Sequence, residues 1–349
     1  MASPSPTALV RAIIPDLPPD FVDRLQGAAE GAGRPLELLV AKTPEEATGM
    51  LRTESDISVL IDAVEMGAPT RWACTEDMLS AAQPSLKWVQ SGQAGQDAAP
   101  LALYAAKGVV LTNAAVITGS HLAEHILALM LSFSRQLPLH FANQLDRKWT
   151  ERSEYPPGEL TGSTLLVVGL GGAGLGTCQR AKAFNMTVIA TRRRLDPSGA
   201  LPDGVDEVHA GDKDSLLAVL PRADYVAVCC PLTPETRNLF DKAAFAAMKT
   251  TAVIMSVGRG PIINTQDLVQ ALQSGEIGGA GLDVTDPQPL PPDHPLWRMK
   301  NVIITPHASG HSPLRAARMQ ELVLDNLRRF LGPGGTAALR NQVDTSAGY

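Results

Sequence analysis

Only four of the 349 residues are cysteine, and Cys74, Cys178, Cys229 and Cys230 show no spacing that would close on a metal. A disulfide framework is excluded with them, because a chain this long builds its own core and needs no staples. The adjacent pair Cys229-Cys230 lies in an apolar run and reads as buried free thiols, which belong in a reducing compartment. Aromatic residues are scarce at 4%, and no basic excess exists: the net charge is −6. That balance offers no electrostatic footing for nucleic acid or an anionic membrane. No run of 18 apolar residues free of charge occurs, and Met1–Pro6 lacks a basic start and apolar core. A cytoplasmic protein is expected, with no membrane partner and no nucleic-acid partner. Internal repeats and low-complexity tracts are also missing.

What is present is a chain of ordinary apolar content, 44%, whose length suggests about two domains. Its organising stretch is Thr164-Leu165-Leu166-Val167-Val168 followed by Gly169, Gly171 and Gly174. The apolar run has the density of a buried parallel strand, and the glycines have the G-x-G-x-x-G spacing that turns a strand into a helix around a pyrophosphate. The first glycine permits the turn, the second lets the anion reach the backbone, and the third lets helix and strand pack closely. A helix over 177–184 and a second strand over 187–190 are expected next.

The end of that second strand distinguishes the dinucleotides. A site for NAD carries a carboxylate there to hold the ribose hydroxyls, whereas this chain has Thr191-Arg192-Arg193-Arg194. Arg192 or Arg193 would grip a 2′-phosphate with a planar fork and Thr191 would donate a hydroxyl, so NADP(H) is expected in preference to NAD(H). A solvated basic turn is the plainer alternative.

Upstream, apolar runs at 8–14, 36–40, 57–61, 86–90 and 109–112 alternate with helical patterns at 19–29 and 45–51, which predicts a parallel sheet. The polar turn Ser91–Asp97 follows one of these strands; it is either an ordinary turn or a carboxylate site made of backbone amides. The longest helical pattern, 119–135, is too apolar to be a surface helix. It carries His121 and His125 one turn apart, but no third ligand accompanies them, and no metal site is expected. Tyr155-Pro156-Pro157-Gly158 reads as a linker. After Arg194, helices at 216–220, 242–248, 266–273 and 313–331 alternate with strands at 225–230, 252–256, 281–284 and 302–305.

Three of those strand ends bear reactive side chains: Ser256-Val257-Gly258-Arg259-Gly260, Asp283-Val284-Thr285-Asp286-Pro287-Gln288-Pro289, and Thr305-Pro306-His307-Ala308-Ser309-Gly310. With the glycine motif, Lys87–Ser91, Leu122–His125, Pro231–Arg237 and Gly281–Val284, this ordered set resembles the D-isomer-specific 2-hydroxyacid dehydrogenases over nearly the whole chain. The resemblance implies an α/β fold of two doubly wound parallel sheets, a Rossmann nucleotide domain over 113–305 inserted into a flavodoxin-like substrate domain of 1–112 and 306–349. The active site would lie in the cleft between them. A homodimer formed through the helix of Glu124 and His125 is implied as well, and Tyr155–Gly158 becomes a loop inside the nucleotide domain.

The same likeness assigns roles. Arg259 would hold the carboxylate and carbonyl oxygen of a small 2-oxoacid, and the amides of Gln93, Ala94 and Gly95 would bind the carboxylate. Gly172, Ala173, Pro231 and Val257 would touch the cofactor, Asp283 would orient the nicotinamide amide, and His307 would protonate the carbonyl as hydride arrives. The departure is Gln288, which stands where the family pairs a Glu with the histidine. An amide orients the ring without the charge that favours imidazolium. The reaction implied is reduction of glyoxylate, hydroxypyruvate or a similar 2-oxoacid with NADPH. One alternative is formate oxidation, whose branch uses Gln beside His but has Asn where this chain has Thr118. Another is a dinucleotide-sensing corepressor-like binding protein.

Overall fold

The computed structural model describes residues 8–62, 66, 72–154 and 158–347. The chain divides into two compact units, one made of the described residues up to Ile117 and from Ser312 onward, the other of Thr118–His311. Tyr155–Pro157, read as part of a linker, lie outside the described residues.

The first unit alternates strictly: β1 (Val10–Ile14), α1 (Pro19–Gly31), β2 (Leu36–Val40), α2 (Pro44–Thr53), β3 (Ile57–Ile61), α3 (Glu76–Ala81), β4 (Trp88–Gln90), α4 (Leu101–Lys107) and β5 (Val110–Thr112). All strands pair in parallel in the order β2-β1-β3-β4-β5, the flavodoxin-like order. Helix starts follow local chemistry: the Thr43 hydroxyl accepts from the Glu46 amide at 3.2 Å, with Pro44 opening α2. The short helices α3 and α4 were not anticipated, since six and seven residues carry too little periodicity to be read.

The second unit opens with α5 (Ala115–Ser134), whose first turn spans the division, and α6 (Leu137–Leu145). There follow β6 (Thr164–Val168), α7 (Gly172–Ala183), β7 (Thr187–Arg192), β8 (Glu207–Ala210), α8 (Lys213–Val219), β9 (Tyr225–Val228), α9 (Lys242–Ala247), β10 (Val253–Ser256), α10 (Thr265–Ser274), β11 (Gly279–Leu282) and β12 (Val302–Ile304). The seven strands are all parallel, in the order β12-β11-β10-β9-β6-β7-β8. The order reverses between β6 and β9, the switch point at whose carboxyl edge open α/β sheets bind ligands.

The helix after the glycines corrects the reading from sequence: it begins at Gly172, five residues before Thr177. Glycines have poor helix propensity, yet close packing on β6 requires them at this turn. β8 was also unforeseen; it is a four-residue edge strand, half-buried throughout. Among the described residues, α5 alone is long and apolar enough to cross a membrane by length and composition, and half of that stretch is buried. Its Ile126, Leu127, Leu129 and Met130 share a core with Leu165, Val167 and Met255 of the sheet, which accounts for the apolarity.

Finally α11 (Arg315–Leu331) returns the chain to the first unit, packing on α1 and placing Phe330 with its ring centre 5.5 Å from that of Trp88. Buried Asn326 donates to Gln90 Oε1 at 2.9 Å, and the tail closes on β5 through Val343 N to Leu111 O at 2.8 Å.

Candidate active site

At the switch point the three glycines are held by three different constraints. Gly169 has φ +100°, a conformation that side chains resist, and it lies against the Cys230 backbone. Gly174 has no room at all: a Cβ there would stand 1.9 Å from the Gly169 carbonyl oxygen. Gly171, by contrast, caps α7 in an extended conformation with nothing within 4 Å of a Cβ. The open face above Gly171, with the first amides of α7 at Gly172, Ala173 and Gly174 behind it, has the form and polarity of an anion cradle. A fourth glycine escaped notice: a Cβ on Gly119 of α5 would come within 2.6 Å of the Gly172 backbone. Its only signal was its place at the start of a helical pattern.

The strand bearing the basic residues is longer than expected. Thr191 and Arg192 belong to β7, and Thr191 is only 2% exposed. Arg192 is half-buried, and Arg193 and Arg194 are exposed. Across from them, Glu235 is held below its ordinary value by the Thr233 hydroxyl, its own amide and the charge of Arg193. The turn carrying Pro231 is fixed by the Thr236 hydroxyl, which donates to the Pro231 carbonyl at 2.7 Å. Behind the glycine turn, burial pushes the thiols of Cys178 and Cys230 up to about 12, so both are protonated and inert.

The reactive side chains project from the carboxyl ends of three neighbouring strands, β10, β11 and β12, which at ordinary strand spacing span about 10 Å. Val257 is buried directly after β10, and two residues later Arg259 is half-buried, one of its guanidinium nitrogens donating to the Gly258 carbonyl at 2.9 Å. The next residue, Gly260, is pressed against the loop after β11: a Cβ would lie 2.0 Å from the Thr285 carbonyl oxygen. Thr265 stitches the same loop by donating to the Asp286 carbonyl at 2.7 Å. That loop delivers Gln288, whose amide nitrogen lies 2.8 Å from Nδ1 of His307 on the loop after β12. Arg259, Gln288 and His307 are thus carried by three loops in contact.

His307 itself is in the left-handed region, φ +54°, an unfavourable conformation for a side-chain-bearing residue. It is held there by its amide, which donates to the Asp283 carbonyl at 2.9 Å. The Asp283 side chain completes the clamp. Oδ1 accepts from Thr305 Oγ1 at 2.6 Å and from the Ala308 amide at 2.8 Å, while Oδ2 accepts from the Ser309 amide at 3.1 Å and from the Ser309 hydroxyl. Burial raises this carboxyl's pKa, but the donors from Ser309, Thr305 and Ala308 outweigh it and hold the group below its ordinary value. Sequence marked Thr305 and Ser309 only as neighbours of His307 and gave them no role, because which donors a carboxylate meets depends on loop geometry.

His125 reaches the same network, Nε2 standing 3.0 Å from Thr305 Oγ1 and 3.7 Å from Asp283 Oδ1. Among the described residues no group of three or more His, Cys, Asp or Glu side chains could hold a metal. In the first unit, Gln93 is exposed and its amide donates to the Ser91 hydroxyl at 3.2 Å. Among the described residues the Ala94 and Gly95 amides meet no acceptor.

Residues 127–309 match the family model of the NAD-binding domain of D-isomer specific 2-hydroxyacid dehydrogenases. The chain is 37% identical over 273 residues to an uncharacterized protein of Corynebacterium melassecola, an alignment covering 76% of this chain and 84% of that one. It is 32% identical over 267 residues to a glyoxylate reductase of Thermofilum pendens, covering 75% and 76%. Its structure is similar, with a TM-score of 0.72 and 28% identity, to an NADPH-dependent glyoxylate/hydroxypyruvate reductase from Sinorhizobium meliloti solved with NADP and sulfate, covering 98% of this chain and 100% of that one.

Proposed function

Since the chain belongs to the D-isomer specific 2-hydroxyacid dehydrogenases, NAD(P)-dependent oxidoreductases, we propose that it reduces a small 2-oxoacid of the glyoxylate or hydroxypyruvate class to the D-2-hydroxyacid at the expense of NADPH. The observation that carries this reading is the meeting of Gln288 with His307 beside the Arg259 loop, on the sheet edge that also carries the glycine turn.

The dinucleotide, when bound, supplies the hydride. Its pyrophosphate would be held by the first amides of α7 above Gly171, its 2′-phosphate by Arg192 and Arg193, and its flanks by Pro231 and Val257. Arg259 holds the substrate carboxylate and polarises the carbonyl, a task for a planar, permanently charged fork. The amides of Gln93, Ala94 and Gly95 are the further carboxylate contacts of this reading. His307 gives the proton that the new hydroxyl needs, Gln288 orients its ring, and Asp283 fixes the loop that carries it. The nucleotide site would occupy 113–305 and the substrate contacts of Gln93–Gly95 the remainder of the chain.

Initial rates of NADPH and NADH oxidation with glyoxylate and hydroxypyruvate test this directly. Phosphate contacts worth about 3 kcal/mol give a preference for NADPH of about a hundredfold; equal kcat/KM for the two cofactors would mean that Arg192 and Arg193 do not hold a 2′-phosphate. Formate oxidation is the second reading, favoured by the amide of Gln288 beside His307 and opposed by Thr118. Production of NADPH from formate would decide for it, and absence of any turnover would favour a binding protein. A second copy of the chain is the partner that suits the exposed apolar side chains of α6.

A further inference from the structure

We propose that the same site reduces carboxylate-bearing iminium ions, formed by condensation of a 2-oxoacid with a primary amine, in preference to the parent 2-oxoacid. The inference rests on the 2-oxoacid reading and deepens it by naming a second substrate class.

Its basis is the electrical neutrality of the proton donor's partner. Gln288 Nε2 lies 2.8 Å from His307 Nδ1. With the amide donating, Nδ1 must offer its lone pair. With the amide turned over, Oε1 accepts from an Nδ1–H, and still no negative charge faces the ring. Nor, among the described residues, does another group supply one. Asp283 is engaged by Thr305, Ala308 and Ser309, Asp286 is exposed two residues before Gln288, and among the described residues no carboxylate pairs with the His307 ring. Among the described residues, the group paired with the ring is thus an uncharged amide.

A carbonyl that accepts hydride becomes an alkoxide and must be protonated as it forms, so its reduction depends on His307 as the acid. An iminium carbon has no such need. It accepts the hydride of the reduced nicotinamide, the C=N π pair becomes the nitrogen lone pair, and the products are a neutral secondary amine and the oxidised nicotinamide. The proton on nitrogen was brought by the substrate. Arg259 serves both substrates through the carboxylate.

The test uses the full chain with NADPH, glyoxylate and methylamine, measuring N-methylglycine and glycolate by mass spectrometry. The wild-type protein is expected to form N-methylglycine faster than glycolate, and Gln288→Glu, by restoring a charged partner to His307, to shift the product ratio towards glycolate by at least about tenfold. Because both proteins meet the same mixture, hydration and condensation equilibria cancel. NADPH titration confirms that the variant is folded, and the wild-type ratio stands without it. Glycolate without N-methylglycine, or a ratio that Gln288→Glu leaves unchanged, overturns the inference while leaving the 2-oxoacid reading intact. Neither product from either protein overturns both.

Discussion

Asp283 shows how much one buried carboxylate can organise. Its backbone carbonyl holds His307 in a left-handed turn, and its side chain collects hydrogen bonds from Thr305, Ala308 and Ser309. Asp283→Asn would turn an amide NH2 towards one set of these donors, and leaving buried donors unmet costs about 2 kcal/mol at pH 7. The pH dependence has a definite sign. The folded-state pKa is depressed below the ordinary 3.8, so the stabilisation is complete above that value and is lost as pH falls through the lower, folded value. Urea unfolding should therefore show a gap between wild type and variant that is wide at pH 7 and narrows below about pH 4; a gap independent of pH would mean the carboxylate charge plays no part. Arg259→Ala should raise KM for 2-oxoacids at least about tenfold while sparing the NADPH dissociation constant, and the reverse pattern would move Arg259 to the cofactor. At this scale sequence reveals which side chains carry chemistry, because Arg, Gln and His at strand ends are conspicuous. It conceals the clamp, since the donors to Asp283 come from backbone amides and hydroxyls whose directions only the folded loop defines.

Between β6 and α7, one short motif combines residues with opposite duties, and substitution separates them. Gly171→Ala places its methyl in open space on an extended backbone, so stability should change by less than about 0.5 kcal/mol. NADPH affinity should nevertheless drop at least about tenfold, because the methyl occupies the face that the pyrophosphate approaches. Gly174→Ala drives a carbon to within 1.9 Å of the Gly169 carbonyl, and the forced separation of helix and strand should cost about 2 kcal/mol. Thermal unfolding and NADPH titration of both variants check the pair; equal destabilisation would erase the distinction. The parallel strands were legible because each is a dense apolar run between polar turns, and β2 and β3 have the bounds that pattern gives. The start of α7 was hidden because glycine argues against helix, while tight packing on the strand argues for it and prevails. β8 was hidden because Glu207-Val208-His209-Ala210 is too short and too polar to stand out from loop.

At the scale of the whole molecule, large apolar side chains stand exposed together around one helix among the described residues. α6 has no buried residue, and around it Leu139, Phe141, Leu145 and Trp149 are 38%, 61%, 84% and 90% exposed. Pattern reading passed over this helix because it seeks a stripe facing a core, and no residue of α6 is buried. Large side chains grouped this way mark an interaction surface, and closed two-fold pairing of identical chains is the commonest way such a surface is covered. A second copy of the chain is the proposed occupant, and it would extend the pairing expected at Glu124 and His125 of α5 onto the helix that directly follows. Phe141→Asp combined with Trp149→Asp alters only exposed positions, so the melting temperature of the isolated chain should be unaffected, whereas burial of aromatic anchors against a partner should fail. Sedimentation velocity at micromolar concentration should show twice the chain mass for the wild type and the single chain mass for the double variant, with NADPH binding retained. A wild type that sediments as a single chain at every concentration would show that another kind of partner, or none, meets this face.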